Sequence, residues 1–88
     1  MAPPKRKIER VQTGVRIERR ILKVLKAIAA HHEITLGDLL EGIVLHSFEG
    51  KTPFGSDMLA FIETMRSAYQ LDLTAADSHR MIEDETPQ

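Results

Sequence analysis

An 88-residue chain without cysteine has room for one small domain, with no disulfide framework and no thiolate metal site, and it suits a reducing cytoplasm. No apolar run approaches the ~20 residues of a membrane helix, and none follows the basic start to act as a signal peptide. The net charge of −1 hides an asymmetry: residues 1–35 carry net +6, and residues 36–88 carry net −7. A basic half of this kind suits a polyanionic partner and leaves the acidic half for another role.

In chain order, residues 1–9 (MAPPKRKIE) are expected to form a flexible basic arm, because they hold almost nothing to bury. Residues 10–17 (RVQTGVRI) alternate. Val11, Thr13, Val15 and Ile17 share one face; Arg10, Gln12, Gly14 and Arg16 share the other. Period two predicts one short, half-buried strand. No second strand pattern follows, so its backbone groups need an outside partner. The simplest partner is the same strand from a second chain.

The period then becomes helical. Ile21, Leu22, Val24, Leu25, Ile28, Ala29 and His32 predict an amphipathic helix over 18–32, with Glu18 in its first turn and Arg19, Arg20, Lys23 and Lys26 on its polar face. His31 and His32 are adjacent and point about 100° apart, so they do not converge on one metal ion. His46 and His79 show no ligand spacing. Thr35 with Asp38 has the form of a capping box. It opens a second helix, Leu36 to Phe48, whose series runs through Leu39, Leu40, Ile43 and Val44; Gly50 is its natural stop.

Ser56 or Asp57 is expected to cap a third helix, with an apolar stripe of Met58, Phe61, Ile62, Met65 and Tyr69. That stripe is too apolar to stay bare and is expected to pack back on the fold. Thr74-Ala-Ala-Asp77 predicts a short final helix to about Glu83, followed by a frayed end at 84–88. There is no phosphate-binding glycine loop, no paired-carboxylate spacing and no nucleophile context, so neither an enzyme nor a cofactor is expected.

The order of basic arm, alternating strand, helix, polar cap and second helix resembles the ribbon-helix-helix (Arc/MetJ-type) family of DNA-binding proteins. The resemblance covers residues 10–48. The family's turn glycine is replaced here by Glu33-Ile34, and Gly14 offers no side chain to a base. The resemblance implies a mainly α fold in which one short N-terminal strand pairs antiparallel across a homodimer. Residues 10–50 would form the DNA-binding and dimerisation domain, and residues 51–88 a helical C-terminal extension.

On that resemblance Gln12, Gly14 and Arg16, with Arg10 at the edge, face bases in the major groove. Arginine pairs with guanine and glutamine with adenine there. Lys5, Arg6, Lys7 and Arg19, and the free amides around Thr35, Leu36 and Gly37, would hold phosphates. Val11, Thr13, Val15, Ile17, Leu40, Val44 and Phe48 would form the dimer interface.

The implied function is a cytoplasmic, sequence-specific transcriptional regulator acting on double-stranded DNA, a repressor first of all. Two alternatives stand beside it. One is an antitoxin that represses its own operator and neutralises a toxin, or binds another effector, through its C-terminal helices. The other is a helical protein-interaction module that ignores DNA.

Overall fold

The computed structural model describes residues 5–84; residues 1–4 of the expected arm and 85–88 of the frayed end expected at 84–88 lie outside the described residues. Three α-helices and one short 3₁₀ turn follow in order: α1 (Arg19–His32), α2 (Leu36–Phe48), α3 (Ser56–Ala68), and the turn Ala75–Asp77.

α1 is the central element. Its Val24, Ile28 and Ala29 are buried together with Leu39 of α2. Around them pack Leu25, Ile43, Phe54, Met58, Phe61, Ile62, Met65 and Leu71, so the α3 stripe closes one side of α1 and α2 the other. The helical periodicity of α1 and the expected back-packing of Met58, Phe61, Ile62 and Met65 are thus accounted for by one shared core.

Each helix begins and ends for a local reason. Glu18 sits outside α1 as its N-cap, not in the first turn, and its carboxylate accepts from the Arg20 backbone N–H at 2.8 and 3.0 Å. Thr35 caps α2, its hydroxyl accepting from the Asp38 N–H at 3.1 Å. α3 is capped by Gly55, without a side-chain bond, so neither Ser56 nor Asp57 is the cap.

All three helices end on a left-handed residue: Glu33 (φ 57°), Gly50 (φ 70°) and Gln70 (φ 56°). The amide of the following residue then reaches back to a carbonyl of the last turn: Ile34 to Ala29 at 3.0 Å, Lys51 to His46 at 2.9 Å, Leu71 to Arg66 at 2.8 Å. This is the Schellman closure. The absent turn glycine at 33–34 is explained: Glu33 takes the left-handed conformation itself.

Two further expectations are overturned. The ribbon-helix-helix fold required a strand at 10–17, and no strand exists among the described residues. A strand is defined by its hydrogen-bonded neighbour, and no second strand is present in one chain to supply that ladder. Nor is one face half-buried, since Val11 is 79% and Val15 73% exposed. The final helix is also shorter than expected. Thr74 opens it, its backbone N–H donating to Asp77 Oδ2 at 2.8 Å, but the helix stops at Asp77. Ser78 is extended (ψ 134°) and His79 is left-handed (φ 67°), so residues 78–84 leave the helical path.

Candidate nucleic-acid interface

The basic half of the chain is displayed on the surface. Residues 5–16 are exposed without exception, which puts Lys5, Arg6, Lys7, Arg10, Gln12, Gly14 and Arg16 in contact with solvent. Nothing lies within 4 Å of a Cβ built on Gly14. Arg19, in the first turn of α1, is exposed as well.

The two arginines expected to read bases are not solvated rods. Arg10 grips Glu41 of α2 with both arms of its guanidinium, Nε and Nη2 each 2.8 Å from a carboxylate oxygen. Arg16 does the same with Glu83, at 2.9 and 2.7 Å. Such a fork is the geometry by which arginine engages carboxylates, phosphates and the guanine edge alike. The Glu41 carboxylate raises the Arg10 pKa, mainly by accepting its hydrogen bonds. Arg10 in turn holds the Glu41 carboxyl below its ordinary value.

Arg20, which the sequence places only on a polar face, is the best-connected cation. It bonds Glu18, the Gln70 carbonyl (3.0 Å) and Asp72 (3.0 Å). Its pKa is raised, chiefly by the Glu18 hydrogen bond. Lys23, one turn on, lies 5.8 Å from the centre of the Tyr69 ring. Glu41, Asp72 and Glu83 carry no local signal in the sequence. They lie 31, 52 and 67 residues from their arginines. Only the opposite charge of the two halves foreshadows the pairing.

The start of α2 presents Thr35 and Gly37 exposed and Leu36 half-buried. Thr35 already satisfies the Asp38 amide, and the Asp38 carboxylate sits in the same turn, adding negative charge where a phosphate was expected. The residues assigned to a dimer interface divide. Ile17 and Leu40 are half-buried within the chain, Thr13 is exposed with Val11 and Val15, and Val44 and Phe48 are 41% and 81% exposed. The α2 apolar series is therefore buried at Leu39 and bare in its last turn, where Leu45 is exposed too.

The histidines have other occupations. His31 stacks on Phe61, ring centres 4.2 Å apart, and a ring nitrogen of His46 lies 2.7 Å from the Gly42 carbonyl. No helix among the described residues is long and apolar enough to cross a membrane. Compared with protein-family models, curated proteins and solved structures, the chain matches none.

Proposed function

We propose that this protein is a cytoplasmic, sequence-specific DNA-binding transcriptional regulator, a repressor, that works as a homodimer. The observation that carries the reading is the stretch 5–16. It is exposed throughout, joined to no other backbone, and bears Lys5, Arg6, Lys7, Arg10 and Arg16. Cations displayed in this way on a segment without a backbone ladder suit a duplex, whose phosphates attract them, and the carboxylate partners of Arg10 and Arg16 sit in exposed pairs that phosphates can replace. Arg16, Gln12 and Arg10 are the groups for base edges, since their planar forks and amides match guanine and adenine. Lys5, Arg6, Lys7 and Arg19 supply the sequence-independent attraction.

The homodimer rests on bare apolar surface. Val11, Val15, Val44, Leu45 and Phe48 are the bare apolar groups a second copy would cover. The α3 residues Met58, Phe61, Ile62 and Met65, by contrast, are half-buried against the core around α1, which favours the regulator over the antitoxin reading.

Selection of bound duplexes from a random pool tests the reading. The wild-type protein enriches an inverted repeat, and binding weakens steeply with salt. Arg16→Ala costs about 1–3 kcal/mol of discrimination at one position of each half-site. A pool that stays unenriched, with binding indifferent to salt, rejects DNA recognition in favour of a protein-interaction module.

A further inference from the structure

The acidic half of the chain is laid along the basic half. Residues 69–83, after α3, meet residues 16–23 at three successive points. Tyr69 lies under Lys23, with 5.8 Å from the ammonium to the ring centre. The Gln70 carbonyl and the Asp72 carboxylate both take Nη1 of Arg20 at 3.0 Å. Glu83 takes the whole fork of Arg16. Read along the segment, the contacts step backward through the basic stretch, from 23 to 20 to 16. A π face, a carbonyl and two carboxylates thus occupy three cations, in the manner that bases and phosphates would.

We infer that residues 69–84 are an autoinhibitory strap, a stand-in for nucleic acid that must leave Arg16 before the duplex can take it. The inference rests on the DNA-binding reading above and adds regulation to it. Several features make the strap displaceable. The closing pair is exposed on both sides, with side-chain accessibilities of 83% for Arg16 and 63% for Glu83. Exposed pairs are weak and screened by salt. Between Asp72 and Glu83 the strap is held by the Leu73 carbonyl, which accepts from Arg66 Nη2 at 2.8 Å, and by one 3₁₀ turn, and His79 then turns it through a left-handed residue. Leu71, at the start of the strap, packs against the core, whose buried residues lie on α1 and α2, and the Glu83 end lies beyond that contact.

The consequence is a threshold. A polyanion that brings many phosphates at once displaces the strap, whereas an isolated anion competes against a carboxylate already in place. Neutralising Glu83 should lower that threshold, and removing Arg16 should abolish the difference.

The test uses the full chain and a fluorescent duplex, with binding followed by anisotropy at low and at moderate salt. Glu83→Gln is compared with Asp57→Asn, which makes the same change in net charge in the first turn of α3, away from these contacts. Glu83→Gln should tighten binding by about 2- to 5-fold beyond the Asp57→Asn control, the range expected of one exposed ion pair. The gain should shrink as salt rises. In an Arg16→Ala background, Glu83→Gln should do no more than the control. If wild type binds the duplex and Glu83→Gln equals Asp57→Asn, the strap is refuted while the DNA-binding reading stands. If neither wild type nor variants bind the duplex, both fall together.

Discussion

Replacing Gln70 by glycine should stabilise the protein, and replacing Gly50 by alanine should destabilise it. Both residues close a helix in the left-handed region, at φ 56° and φ 70°. An L-residue with a Cβ spends about 1–2 kcal/mol to stay there. Glycine avoids that cost but loses about 0.5–1 kcal/mol more backbone entropy on folding. The balance favours Gln70→Gly by about 0.5–1 kcal/mol. The side chain of Gln70 is exposed, and its contact with Arg20 is made by the backbone carbonyl, which glycine keeps.

At Gly50 the argument runs in reverse. No atom lies within 4 Å of a Cβ there, so Gly50→Ala meets no steric obstacle and its whole cost is conformational, about 1 kcal/mol. For a domain of this size each kcal/mol moves the melting temperature by about 4–8 °C. Thermal and urea unfolding of both variants, at one fixed protein concentration, should therefore show Tm raised by about 2–8 °C for Gln70→Gly and lowered by about 4–8 °C for Gly50→Ala. Two shifts of the same sign, or a Gln70→Gly variant that melts below wild type, would refute the assignment of these closures.

Two further outcomes follow from the exposed face and the Arg10 pair. Phe48→Ser should leave the helical content intact, since Phe48 is 81% exposed in the single chain, yet weaken self-association by about 100-fold or more by sedimentation, the burial value of two phenylalanines, one from each copy; a wild-type chain that is monomeric at tens of micromolar excludes the homodimer. The Glu41 carboxyl is held below its ordinary value of 4.5 by Arg10, so the pair's contribution to stability is present above pH 4.5 and is lost as pH falls through the depressed value. Glu41→Gln should remove that part of the acid dependence, and an NMR titration that finds Glu41 ionising at or above 4.5 would contradict the pairing.

Local pattern was enough for α1 and α2. The spacing of Ile21, Val24, Leu25, Ile28 and Ala29, the Thr35 cap and the Gly50 stop each act within a few residues of themselves, and the structure places α1 and α2 where those signals do. The closures at Glu33 and Gln70 were not legible, because neither residue type announces a left-handed backbone as glycine does. The alternation of 10–17 was legible as a pattern, but it forms no strand: its backbone joins no ladder, and Val11 and Val15 stay exposed. Only the tertiary structure decided where the charges go. Arg10 with Glu41, Arg20 with Asp72 and Arg16 with Glu83 are joined across 31, 52 and 67 residues. The sign of each half of the chain was written in its composition, but Coulomb attraction has no register of its own, and the packing of α2 and α3 on α1 chose the partners.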